Sequence, residues 1–314
     1  MLSLLLILLL TLSVPMAMAQ DDGSEASPEV DAAVTWLIDQ QQADGSWTDG
    51  FTVGPGPTAD AVFALAAADV DVHTVESSDG NTALDFFASY LSENEDFTGA
   101  AIAKTVIALV AVGEDPTDFA ELDLVTWLLD TQDEDGVFVD DMTGIFGHCL
   151  VTIAVYNADA GLMEDANVEA LEAAILALTA VQNEDGGFGF AFGSDSDTNT
   201  TAVCLQALAI SEDDETQSAI GAALEYFGQI QNEDGGWPYQ NPSDFGTDSD
   251  SNSTSLVAQA LIAADVDAEA WRGEDIATYL LSLQNDSGAF GFNAGFADDN
   301  FLSTIAVIPV LRDT

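Results

Sequence analysis

Apolar and polar positions follow two helical patterns along this chain. In Val168–Leu178 (VEALEAAILAL) apolar residues recur at three- and four-residue spacing with acids on one side, which predicts a half-buried helix. Thr201–Ala209 (TAVCLQALA) is apolar nearly all round, which predicts a helix enclosed by other elements. The two kinds come in pairs. An amphipathic run ends at Asp-Gly, where glycine accepts the left-handed conformation of a C-terminal cap. A loop of about ten to fifteen residues rich in Gly, Asp, Ser and Asn follows, and the enclosed run opens after a Ser, Thr, Asn or Asp cap.

A short motif marks each junction. Gln182-Asn-Glu-Asp-Gly-Gly-Phe188 returns as Gln231-Asn-Glu-Asp-Gly-Gly-Trp237. Looser copies run Gln41 to Trp47, Gln132 to Phe138 and Gln284 to Phe290, and a degenerate one without its glycine fits Glu93-Asn-Glu-Asp. The intervals of 52, 39, 50, 49 and 53 residues make this a tandem array of six helix pairs. Helices with one polar face belong outside and helices without one belong inside. An open superhelix would need polar end repeats, yet the last repeat finishes on the apolar Thr304–Leu311. The pattern therefore predicts an all-α, closed (α/α)6 toroid.

Three further features change the picture. Residues 2–14 are an apolar run followed by Pro15 and Ala17-Met-Ala19, which reads as a secretory signal peptide at 1–19. A short acidic linker at 20–27 and a single toroid domain at 28–314 complete the expected organisation of a secreted protein, with no membrane insertion of the mature chain. The 56 acids face only Lys104, Arg272 and Arg312, a net charge of −53. That field repels nucleic acid and anionic lipid, fits a halophile-like solvated surface and a monomer, and makes the fold sensitive to low ionic strength. Cys149 and Cys204 both lie in apolar helical runs, where the expectation is two buried small hydrophobes, with a disulfide in an oxidising compartment as the alternative.

The Q-x-x-D-G-G-[FW] segments resemble the QW-type repeat of squalene–hopene and oxidosqualene cyclases and the glycine-rich repeat of protein prenyltransferase β subunits. The resemblance covers all six units and implies the α/α toroid of those families. It also implies structural roles for Gln41, Trp47, Gln132, Phe138, Gln182, Phe188, Gln231, Trp237, Gln284 and Phe290, which tie each outer helix to its neighbours. Class II terpene cyclases protonate their substrate with D-x-D-D-T-A at the start of an inner helix. Setting Thr201-Ala202 on the motif's T-A puts Asn199 at the proton-donating aspartate and Thr200 beside it, and Asp250-Ser-Asn-Ser-Thr-Ser255 repeats the change. An amide has no proton to give an alkene, so in a cyclase Asp195 and Asp197, or Asp248 and Asp250, would have to substitute from another angle. A prenyltransferase-like zinc site at His148, Cys149 and Cys204 lacks a second histidine, and three basic residues cannot hold a diphosphate.

Candidate binding chemistry lies at the inner-helix starts. Register aligns Thr201 with Thr254, Thr304, Thr58 and His148, Gln206 with Gln259, and Asp60 with Lys104 on the adjacent inner helix, where each could partner the other. Asp195-Ser-Asp197-Thr-Asn199 and Asp248-Ser-Asp250-Ser-Asn252 match the opening of an EF-hand loop but lack its glycine and final glutamate, leaving a looser calcium site set against plain helix capping. The stretches Asn199–Leu208 and Asn252–Leu261 also look like the S-T-G-L-A-x-Q-A-L segment of cobalamin carriers. The sequence is thus read as a non-catalytic toroid that binds a small polar ligand, corrinoid-like, at the inner-helix mouth through Asn199, Thr200, Thr201, Gln206, Asn252, Thr254, Gln259, Thr304, His148, Asp60 and Lys104. A class II cyclase with an altered acid motif and a cell-surface module with a protein partner are the alternatives.

Overall fold

The computed structural model describes residues 27–52, 54–94, 97–139, 144–158, 165–244, 246–268, 271 and 276–313. The signal peptide, nearly all of the linker, Arg272 and the last two residues of the degenerate motif lie outside the described residues.

Twelve α-helices are found among the described residues, and β-structure is confined to isolated bridges. Six are outer helices: α1 (Pro28–Asp39), α3 (Ala83–Glu93), α5 (Leu124–Leu129), α7 (Asp165–Val181), α9 (Asp214–Ile230) and α11 (Ile276–Leu281). Six are inner: α2 (Gly56–Ala67), α4 (Gly99–Ala111), α6 (Gly144–Ala158), α8 (Thr198–Leu208), α10 (Ser251–Ala263) and α12 (Phe301–Asp313). Each inner helix packs on the next, and α12 returns to α2, so the ring is closed as the pattern predicts. Alanines 61, 64, 103, 108, 154, 202, 207, 258 and 260 are fully buried along the inner helices, and their small side chains let neighbouring backbones approach closely.

The motif is the joint of each repeat. Gln132 Nε2 donates to the carbonyl of its own Gly136 and to that of Ala170 on α7. Gln182 does the same with Gly186 and Ala219 on α9, and Gln284 with Gly288 and Glu29 on α1. That last pair spans the chain and fastens the first outer helix to the last repeat. The motif glycine is required for a second reason: a Cβ on Gly186 (φ +86°) would lie 2.3 Å from the Ala222 carbonyl oxygen, and one on Gly288 (φ +94°) 2.4 Å from that of Ala32. The aromatic fills the corner between layers. Trp47 and Trp237 also donate their indole N–H to Leu37 and Phe227 carbonyls, satisfying outer-helix ends.

Replacing Gly288 with alanine is therefore expected to cost at least about 2 kcal/mol, from the left-handed backbone and the clash together. Because α1 is what it would push away, limited proteolysis should cut near α1 before the remaining helices. Unchanged urea stability with α1 still protected would mean that this joint does not close the ring.

One expectation fails here. Cys149 on α6 and Cys204 on α8 form a disulfide, with Cα atoms 5.0 Å apart. The two residues are fully buried, as hydrophobes would be, but adjacent inner helices bring their sulfurs face to face.

Candidate functional site

The inner-helix residues that share a register position do not all face the same way. Thr58, Thr201, Thr254 and Thr304 are fully buried, and each Oγ1 accepts the backbone N–H of its repeat's motif aromatic. The donors are Trp47, Phe188, Trp237 and Phe290, at 2.8–3.0 Å. An N–H buried in that corner has no water to bond, so the hydroxyl is a structural bolt. His148 holds the same place in the α5–α6 repeat. Its Nδ1 accepts from Phe138 N–H at 3.0 Å, which leaves the proton on Nε2, donated to the Ala174 carbonyl at 3.1 Å. Burial lowers its pKa to about 4. These five residues, read from the sequence as ligand groups, are engaged in the wall instead. Thr200 is buried as well, and its N–H is bonded to the cap of α8.

The aspartates are likewise accounted for. Asp197 caps α8 by accepting from Thr200 N–H at 2.8 Å, and Asp250 caps α10 through Ser253 N–H and Oγ. Burial raises the pKa of both, against the pull of the helix N–H groups. Asp195 and Asp248 are exposed, and no group of three or more metal-ligating side chains is assembled among the described residues. Both loops thus serve as helix caps, the alternative set beside calcium in the sequence.

What converges is a central lumen of about 300 Å³. Counting from the bolt position, most of its wall comes from two residues before, two after and five after, the successive turns of one helical stripe, while Ala59 and Ile305 lie one after it and Asn157 nine after. On α6 these are Phe146, Leu150 and Ile153, with Asn157 a further turn along; on α12, Leu302, Ile305 and Ala306 supply an apolar wall. On α8 they are Asn199, Val203 and Gln206, and on α10 Asn252, Leu256 and Gln259. On α2 and α4 the stripe carries Asp60 and Phe63, and Lys104 and Ile107. Lys104 Nζ donates to Asp60 Oδ2 at 2.7 Å, and the two side chains are about 30% exposed, so the pair is only partly screened. Among the described residues Asp60 is the one carboxyl group in the lining.

Six of the residues singled out in the sequence thus line the lumen: Asn199, Gln206, Asn252, Gln259, Asp60 and Lys104. The apolar lining was missed, although the same three register positions would have picked out most of it. Of the loop aromatics, Phe188, Trp237 and Phe290 are fully buried corner residues, while Phe190 and Tyr239 remain about half exposed.

The architecture has solved counterparts. A substrate complex of the type II terpene cyclase MstE from Scytonema, bound to geranylgeranyl dihydroxybenzoate, matches with a TM-score of 0.66 at 16% identity, over 91% of this chain and 96% of that one. A protein from Actinoplanes matches at 0.62 and 18% identity, over 91% and 98%. A UGL variant with the saccharide dGlcA-Glc-Rha-Glc matches at 0.64 and 13% identity, over 90% and 94%. At these identities the likeness carries the fold, one that enzymes of more than one chemistry use. No curated protein sequence matches the chain.

These findings correct the functional expectation. Relatives in fold include type II terpene cyclases holding a prenylated substrate and its product, and the cavity here is lined mainly by hydrocarbon, which does not suit a corrinoid-like polar ligand. The non-catalytic carrier reading is withdrawn. The model of the prenyltransferase α/α-toroid domain matches residues 8–219 and 145–300, and with the closed ring and its motif joints this makes the chain a member of that family.

Proposed function

We propose that this protein is an isoprenoid-converting enzyme of the terpene cyclase type, with the lumen as its reaction chamber and an altered acid. The observation that carries the reading is the lining itself: largely apolar walls on α6 and α12 enclose a space whose one carboxyl group among the described residues is Asp60, paired to Lys104. Apolar walls suit a folded prenyl chain and leave cationic intermediates without water to trap them. A glycosidase would need two carboxyl groups flanking its substrate, and the lining offers one.

Asn199 stands where the cyclase motif has its acid, so the proton has to come from elsewhere. Asp60 is the donor in this reading. The carboxyl first takes up a proton from the medium, which the ammonium beside it opposes and which makes the protonated group a stronger acid. That O–H proton passes to a terminal double bond, the π pair forms the new C–H bond, and the O–H pair stays on the carboxylate, again paired with Lys104. Neighbouring double bonds then close on the cation, and the proton lost from the last cation returns to the carboxylate. The apolar N-terminal run and the 56 acids support a further part of the proposal, that the enzyme is exported and works in a saline medium.

The test is product analysis by gas chromatography and mass spectrometry after incubating the protein, in high salt, with squalene and with geranylgeranyl substrates. Cyclised product is expected, with Asp60→Asn slower by about 10²- to 10⁴-fold. Asp197→Asn keeps a capping side chain and should retain the rate. No conversion of any substrate, or full activity in Asp60→Asn, would sink the reading.

A further inference from the structure

Lysine occurs once in this chain, and its place is the lumen. Lys104 lies within α4, its side chain is 30% exposed, and it lines the cavity. The six lining residues two after the bolt are Asp60, Lys104, Leu150, Val203, Leu256 and Ala306, so the ammonium and its carboxylate share their level with hydrocarbon alone. The other two cations of the chain are arginines. A guanidinium would hold the charge permanently and in a fixed fork; an ammonium can release a proton and become a nucleophile. Nothing else in the lining competes for that role. Among its described residues there is no Ser, Thr, Tyr, His or Cys.

An amine and a carboxylate 2.7 Å apart in an apolar chamber suit covalent capture of a carbonyl group. Asp60 takes a proton from the Lys104 ammonium along their hydrogen bond. The freed nitrogen pair attacks the carbonyl carbon, and the C=O π pair moves to oxygen, which takes that proton from Asp60. Asp60 then removes a second proton from nitrogen and hands it to the new hydroxyl. The C–O bond breaks with its pair on the departing water, and the nitrogen pair closes the C=N bond. One aldehyde and one ammonium give one protonated imine and one water. The charge is unchanged, and Asp60 again faces a cation. Anionic ligands fit less well, since a diphosphate would meet one cation already bonded to a carboxylate, in a chain of net charge −53.

We infer that Lys104 is a covalent binding site for a long-chain apolar aldehyde, held in the lumen as a protonated imine with Asp60 as its counter-ion. The amine assigns the carbonyl and the hydrocarbon walls assign the chain. Its isoprenoid character rests on the reading above; the imine itself does not, because it needs the apolar lumen and the amine but no cyclisation.

The test incubates the full protein in high salt with farnesal and cyanoborohydride, which reduces an imine to a stable amine, and reads intact mass and a peptide map. A single lysine makes the map decisive, because the α-amine is the only other primary amine of the chain. The expected product carries one addition, the mass of the aldehyde less its oxygen, on Lys104. It should form at least about tenfold faster than with 3-methylbut-2-enal, which has the same conjugated head but little chain to bury. Farnesene, the hydrocarbon of the same chain, should slow the reaction at Lys104 and leave the α-amine unaffected. Lys104→Arg keeps a cation beside Asp60 and should lose the addition; the map of the native protein decides the site whether or not this variant folds. An unmodified Lys104, equal rates with the two aldehydes, no effect of farnesene, or undiminished addition in Lys104→Arg overturns the site. The cyclisation reading, judged by turnover of its own substrates, survives any of these.

Discussion

Replacing Cys149 and Cys204 together with alanine is expected to remove about 4 kcal/mol of stability in the chain-entropy account of disulfides. The bridge joins residues 55 apart in sequence and closes a loop that contains the whole of α7, so the unfolded chain loses much of its freedom when it is present. It also clamps α6 to α8, two staves of the closed ring, with both sulfurs fully buried. Urea unfolding at fixed high salt, with and without reductant, checks this. The native protein should unfold at a lower urea concentration when the reductant is added, and the double variant should match the reduced protein and be indifferent to reductant. A native protein whose midpoint does not move on full reduction would mean that the ring is held by packing alone. Constant salt matters, because self-repulsion at a net charge of −53 would otherwise change between conditions.

The cysteines also show where reading the sequence stops. That both would be buried on inner helices follows from the apolar runs around them. That they would touch depends on which flank of each helix they occupy: Cys149 follows its bolt residue by one position and Cys204 by three, and those offsets place the sulfurs on facing sides of α6 and α8. The same limit explains the threonines. Shared register showed that Thr58, Thr201, Thr254, Thr304 and His148 have one role, but it did not show which way they point. They look like a ring of ligand groups until the motif aromatic's N–H is seen to need an acceptor at that spot.

The ring itself was legible because it is written six times. Period, glycine caps and the contrast between half-buried and enclosed helices all repeat, and the apolar final helix signals that the array closes. The lumen positions change residue from helix to helix, α8 and α10 apart, so the repeat does not announce them. Its polar residues stood out, the paired amides by their shared register and Asp60 with Lys104 because a lysine on an apolar helix needs a partner, found at 2.7 Å.

His148 makes the fold acid-sensitive in a way its threonine counterparts do not. Burial holds its folded-state pKa at about 4, against 6.5 for the unfolded chain, with the Ala174 carbonyl and the Asp133 charge opposing that shift. Between those values the unfolded chain binds a proton that the folded one refuses. Stability contributed at this position is therefore full above about pH 6.5 and is lost as the pH falls toward 4, by on the order of 3 kcal/mol. Asp197 and Asp250 work in the opposite sense: their raised folded-state pKa values mean that the folded chain binds protons first, so acidification above 3.8 favours it. His148→Thr separates the two. Threonine's Oγ1 can accept the Phe138 N–H as its sisters do at 2.8–3.0 Å, while the Ala174 carbonyl loses its donor at every pH. The variant should be somewhat less stable than the native protein at pH 7.5, and its disadvantage should shrink or reverse by pH 4.5. Urea midpoints across pH 4–8 measure it, and parallel curves for the two proteins would show that the buried imidazole does not set the acid limit.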